Sequence, residues 1–339
     1  MPPIGQVHID RALTNFSLMY RNESFIADKV LPILPVDKRS NKYFIYNKAA
    51  FLSASALDAN SRPASLRRPG AEAAEIDFPL STDNYYAEEY AYRDLIPDAV
   101  MAYADDPLQP DMDATILLTE RLLLDNELLV AKKTMTSASY ATANKVLLTT
   151  GGSGTSWAQY ASANSLPFSN IVNAKVAVMA GIVREPNSFV GNMNTCRTLA
   201  DHPLLKELVK YTHQDALTVS GLPKVMRGLD VFEAPQQYNT AAEGASFSGG
   251  SMWVNAASQD TALIYYRSLA PSPRSVSYGY TFEAPDDATK ARGISIRRWR
   301  EEKRKGNMIE AAFLRDFKIC AVDGSNNFIG GYLISGTTL

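Results

Sequence analysis

The period of the hydrophobic pattern changes several times along the chain, and each change marks an element. From Asp113 the apolar residues recur at about 3.6 positions: Ala114, Leu117, Leu118, Leu122, Leu124, Leu128, Leu129, Ala131 and Met135 gather mostly on one side. Glu120, Arg121, Asp125, Asn126, Glu127, Lys132 and Lys133 fall largely elsewhere. This spacing predicts a helix over 113–135, a rod of roughly 30 Å. Pro107 and Pro110 bar an earlier start, Asp111 or Asp113 is placed to cap it, and Lys132 and Lys133 suit its negative end.

Ahead of that helix the period is two or is absent. Residues 1–36 mix polar and short apolar pieces and end in Val30-Leu31-Pro32-Ile33-Leu34-Pro35, where two prolines hold the backbone extended; this predicts an arm. KYFIYNKAAFL (42–52) predicts a strand, residues 53–75 lose all periodicity, and 77–96 regain strand character without a cleanly apolar face. Two such strands around a long loop bury too little to be stable alone, so the hairpin is expected to lie against something else.

After the helix, residues 149–169 carry Gly151, Gly152, Gly154 and many serines and threonines, which predicts a linker and a domain boundary. Beyond it the pattern predicts a helix over 170–185, a strand at NSFVGN, two helices broken at Pro203, and strands in DVFEAPQQYN, SMWVN and TALIYYRS. Residues 293–323 alternate as strands around a turn at Lys305-Gly306-Asn307, and NNFIGGYLI predicts one more short strand. The sum is an α+β fold.

Composition narrows the function. A chain of 339 residues, 46% hydrophobic, can bury a full core and has the length of about two domains. No apolar run approaches the ~18 residues of a membrane span, so no membrane partner is expected. Cys196 and Cys320 are too few for a disulfide scaffold or a zinc knuckle and read as small core residues. His8, His202 and His213 are the only histidines, and none has a patterned nucleophile beside it. The acid pairs fit no calcium loop, and Gly151–Gly154 lacks the Lys-Ser/Thr of a phosphate cradle. No catalysis, cofactor or metal is expected.

The net charge of −2 excludes a globally basic nucleic-acid coat, yet charge is strongly segregated. Residues 29–68 carry eight bases against two acids, 70–115 twelve acids against one base, and 292–305 seven bases against two acids. Within the last block, Arg297, Trp299, Glu301 and Lys303 share one strand face and Arg298, Arg300 and Glu302 the other. Both faces mix signs, which fits protein-to-protein ion pairing better than a phosphate track.

Several stretches point the same way: VHIDRALTNFSLMYRNESFIADKVLPILPVDKRSNKYFIYNKAAFL (7–52), RRPGAEAAEIDFPLSTDNYYAEEYAYRDLIPDAV, ADDPLQPDMDATILLTERLLLDNELLVAKK, YNTAAEGAS and GISIRRWREEKRKGNMIEAAF. Together they resemble, in order and over most of the chain, the major capsid proteins of tailed bacteriophages; 170–235 is the least distinctive part. The resemblance implies the Hong Kong 97 phage capsid fold, α+β. Residues 1–36 would form its N-terminal arm and 37–95 its extended loop. The peripheral domain would take 96–148 and 276–318, with 113–135 as spine helix, and the axial domain 149–275 and 319–339.

The same resemblance implies a self-assembling subunit of an icosahedral head enclosing double-stranded DNA, located in the virion and assembled in the host cytoplasm. Its partners would be copies of itself in pentamers and hexamers, a separate portal, a separate scaffolding protein, a decoration protein, and packaged DNA held without sequence specificity. Candidate subunit-contact residues are Lys42, Lys48, Arg67, Arg68, Glu72, Glu75, Glu88 and Glu89 around the extended loop. Arg297, Arg298, Trp299, Arg300, Glu301, Glu302 and Lys303 are the candidates on the basic strand. The rivals are an encapsulin-like nanocompartment shell subunit of the same fold and a nucleic-acid-binding protein using the 292–305 strand. A hydrolase built on His202 or His213 is a third.

Overall fold

The computed structural model describes residues 8–9, 25–45, 66–67, 69–70, 72, 81–103, 109–150, 154–210, 216–239, 241, 245–246, 248–268, 270, 276–286 and 292–338. In the arm, β1 (His8–Ile9) precedes α1 (Ala27–Val30), a single turn that Pro32 prevents from extending, and β2 (Ile33–Pro35) follows. Next come β3 (Ser40–Ile45), β4 (Ser81–Tyr86), β5 (Glu88–Pro97) and α2 (Asp98–Ala102). The long helix α3 runs Pro110–Thr134. It starts earlier than its apolar period predicts because Pro110 occupies the first helical position, where a missing N–H costs nothing.

The chain continues through β6 (Lys145–Leu147), α4 (Pro167–Ile182), β7 (Ser188–Asn192), α5 (Met193–Asp201) and α6 (Pro203–Val209). The break at Pro203 is where the sequence puts it, and the His202 ring accepts from the Leu204 N–H to cap α6. β8 (Val225–Met226), β9 (Leu229–Ala234), β10 (Gln237–Asn239), β11 (Gly249–Ser251) and β12 (Thr261–Tyr265) follow. Last are β13 (Gly279–Glu283), β14 (Ser295–Glu301), β15 (Gly306–Ile319) and β16 (Gly331–Ser335). Lys305 takes a left-handed φ of 45° at the predicted turn. Gly306 follows it because a Cβ there would sit 2.6 Å from the Ile96 carbonyl.

Two six-stranded sheets organise these elements. The first joins β1, β14, β15, β13 and β2 in that order, with β5 also on β15. The second runs β6-β16-β12-β7-β9-β8. Strand alternation gives the second sheet two buried faces. Phe189, Ala262, Ile264 and Ile334 pack under α4, α5 and α6, while Val190, Leu263 and Leu333 face Trp253, Tyr140 and Tyr278.

The spine helix α3 bridges the sheets. Its Ala114, Leu118 and Leu122 lie on Ile296, Ile309 and Phe313 of the first sheet, and its Val130 and Ala131 join the core beneath the second. Two assignments of its faces are corrected: Leu117 is 61% exposed, whereas Asn126 and Glu127 are buried. The linker expectation also fails in part. Trp157 is fully buried in the core between the second sheet and helices α4–α6, the Ser156 hydroxyl donates to the Thr337 carbonyl, and the Ser165 hydroxyl donates to the Ser156 carbonyl. Small polar residues there are built into the fold, and residues 151–153 lie outside the described ones. β6, placed by sequence before the boundary, pairs with β16 in the second sheet.

Candidate subunit-contact surface and arm anchor

The root of the extended loop is a short antiparallel pair, β3 on β4, with Ile45 opposite Ser81 at its outer end. Tyr43 and Tyr85 point inward from it onto Phe282 of β13, the first tilted at 5.2 Å between ring centroids and the second stacked at 4.6 Å. Leu34, Tyr280 and Cys320 complete this cluster. The Tyr43 hydroxyl donates to Asp83 at 3.0 Å and the Tyr85 hydroxyl to the Lys38 carbonyl at 3.1 Å, and burial pushes both phenols up. The hairpin is expected to lie against something else, and its described root does so on β13 of its own subunit. β5 goes further: Glu88–Pro97 pair with β15, so residues 88–95 belong to the first sheet.

The arm is anchored by two buried charged groups. Glu127 of α3 is fully buried and accepts from the Ala27 N–H at 2.8 Å, the Ile26 N–H at 3.1 Å and the Trp253 indole at 2.8 Å. One carboxylate thus ties the first turn of α1 to the spine helix and to the loop before β12. Burial pushes its pKa up to about 7, against the lowering effect of those three donors. Nearby, the guanidinium of Arg315, 5% exposed, donates to Glu283 at 2.7 and 3.0 Å and to the Asn126 side-chain oxygen at 3.0 Å. It also stands 3.5 Å from Asp28 on α1. Sequence singles out none of these residues, because a lone polar residue inside an apolar period carries no sign of its partner.

The basic strand β14 spends its arginines inside the subunit. Arg297 contacts Asp286 at 2.7 Å, Glu310 at 3.2 Å and Glu89 at 3.3 Å; Arg298 contacts Asp111 at 2.7 Å; Arg300 holds both oxygens of Asp98 at 2.5 and 2.6 Å. Glu89, Asp98 and Asp111 all come from the acidic segment 70–115, so this charge segregation reflects the folding of one block onto another. Arg300 accordingly lowers the pKa of Asp98, its hydrogen bond being the main cause. Asp111 pairs with a strand instead of capping α3.

The other candidates are dispersed. Lys42, Arg67, Glu72 and Glu88 are exposed, and Glu88 accepts from the Tyr90 hydroxyl at 3.2 Å. Glu302 and Lys303 are exposed beyond β14, Glu301 is half-buried, and Trp299 is half-buried opposite Met308. Lys48, Arg68 and Glu75 lie outside the described residues. Among the described residues no group of three His, Cys, Asp or Glu is arranged to hold a metal ion.

Known proteins resemble this arrangement at both levels. No family model matches. The major capsid protein of Burkholderia phage BcepMu is 26% identical over 345 residues, covering 97% of this chain and 96% of its own. That of Pseudomonas phage JBD67 is 27% identical over 275 residues, covering 80% and 82%. Among solved structures, a phage-related protein from Bordetella bronchiseptica superposes with a TM-score of 0.70 at 22% identity, over 98% of this chain and 99% of that one. The capsid of Cyanophage P-SCSP1u gives 0.56 at 9% identity (93% and 89%), and the SrpI encapsulin of Synechococcus elongatus 0.53 at 9% (91% and 85%). An arm and loop root clamped to a spine helix and two sheets is thus the Hong Kong 97-type capsid fold. The two sequence relatives take the assignment further than the fold does: the chain is similar to tailed-phage major capsid proteins over most of its length, and its class is a capsid shell subunit.

Proposed function

We propose that the chain assembles in the host cytoplasm into an icosahedral head of pentamers and hexamers that encloses double-stranded DNA. A separate portal admits the genome and a separate scaffolding protein guides assembly. The observation that carries this reading is the loop root: Ile45 and Ser81 are paired, so residues 46–80 leave and return at one point on a base already packed against β13. Leu66, within that stretch, is 61% exposed. Such a loop finds its remaining burial on a neighbouring copy, and heterologous contacts of this kind close into shells when their rotation closes.

The test is to replace residues 46–80 by a short turn. The variant is expected to fold, because the clamped strands remain, and to give no closed particles by negative-stain microscopy and sedimentation, where the unmodified chain does. Particles from the variant at normal yield would refute the reading. Particles made during infection are expected to hold double-stranded DNA; folded cargo protein in its place would favour a nanocompartment. With the β14 arginines satisfied by carboxylates, the isolated subunit is expected to bind DNA weakly.

A further inference from the structure

The helix α4 is apolar on two faces. Ile171, Ala174, Val178 and Ile182 are buried beneath it. Val172, Val176, Met179 and Val183 form a second stripe, 42%, 60%, 51% and 45% exposed. At 100° per residue Val172, Val176 and Met179 lie within a sector of about 60°, with Val183 just past the end of the helix, and their spacing is that of a seam packing against another helix. Single exposed apolar residues are ordinary, but an aligned set without a charge in it is not.

Val183 adds an independent sign. It closes α4 in the left-handed conformation, φ 57° and ψ 26°, at a position where glycine or asparagine is the usual occupant and a β-branched residue is strained. The apolar stripe is therefore completed at the place where the backbone most opposes it.

Area says what kind of partner covers the stripe. Four half-exposed side chains leave roughly 300 Å², the size of a functional patch, against about 800 Å² per partner in a stable two-body interface. The stripe cannot hold a free dimer; it suits a contact made together with others, as between copies in a shell. The same helical layer offers a mate. Leu204 and Leu208, one turn apart on α6, are 41% and 62% exposed. α4 lies over β16 and β12, whereas α5, with α6 beside it, lies over β7 and β9. Two different patches on two halves of one layer are what a head-to-tail contact requires. We propose that the α4 stripe is a copy-to-copy contact that receives the Leu204/Leu208 ridge of a second copy; this rests on the shell-subunit reading.

Three variants test it. Val183→Asn relieves the strained backbone, so the dissociated subunit is expected to melt at the same temperature or higher while particle yield falls about tenfold. Val176→Asp is expected to melt unchanged and likewise to form few particles. Oxidising particles of the double variant Val176→Cys, Leu208→Cys is expected to give a ladder of covalent multimers, and neither single variant should. The native thiols do not interfere, since Cys196 and Cys320 are buried with their pKa values pushed up. Normal particle yield from Val183→Asn and Val176→Asp overturns the contact, and dimers from Val176→Cys alone overturn its head-to-tail form. If the unmodified chain forms no particles even when produced together with the other head proteins of its phage, the shell reading fails and the proposal with it.

Discussion

Replacing Glu127 by glutamine is expected to change how subunit stability depends on pH. The Glu127 carboxyl has an ordinary value of 4.5 and is pushed up to about 7 in the folded chain by burial. A raised carboxyl binds its proton more tightly when folded. Its stabilising contribution is therefore complete below pH 4.5, declines as pH rises, and is gone above about 7. At 1.36 kcal/mol per pKa unit the span is about 3 kcal/mol. The amide of Glu127→Gln carries no titrating proton, so the difference in unfolding free energy between variant and wild type should shift by that amount, in favour of the variant, from about pH 4.5 to about pH 8. Denaturant unfolding of dissociated subunits across this range measures it, free of the mass action of assembly. Parallel pH profiles for the two proteins would refute the argument. Alanine is a separate case: it leaves the N–H groups of Ile26, Ala27 and Trp253 without their acceptor, at about 1–3 kcal/mol each, and should destabilise at every pH.

Other expectations follow from the same packing. Arg315→Met leaves Glu283 buried and unpaired and is expected to cost about 3–5 kcal/mol in denaturant unfolding; the double variant with Glu283→Gln should recover much of the loss. Arg297→Ala should destabilise by about 3 kcal/mol, since the Asp286 side chain is only 3% exposed, whereas Arg300→Ala should leave the melting temperature unchanged. Equal effects from these two substitutions would contradict the assignment. Phe282→Ala removes the ring between Tyr43 and Tyr85 and is expected to cost about 3–5 kcal/mol and to expose the loop root to limited proteolysis.

Elements with a strong local period were legible. The spine helix, the two helices parted by Pro203 and the alternating β14–β15 pair are all found, because a period of 3.6 or 2 is a property of neighbours in sequence. What escaped depends on distant partners. Glu127 reads as part of a polar face until the arm and Trp253 close over it, and Trp157 sits in a stretch whose small residues resemble a linker but pack between the second sheet and its helices. The charge blocks were visible but their meaning was not. Sequence shows that 70–115 and 292–305 are complementary; only the fold shows that Glu89, Asp98 and Asp111 meet arginines of their own chain. Composition cannot distinguish attraction within a subunit from attraction between two.

The second sheet has a consequence for the order of events at the ribosome. β16 lies between β6 and β12, with Leu333 opposite Lys145, so β6 waits for a partner synthesised roughly 190 residues after it. At typical elongation rates that delay is about 10–40 s. A nascent chain therefore cannot finish the core behind α4 until nearly the whole polypeptide has emerged, and until then the edge of β12 and the apolar face it shares with β6 stay open to other chains.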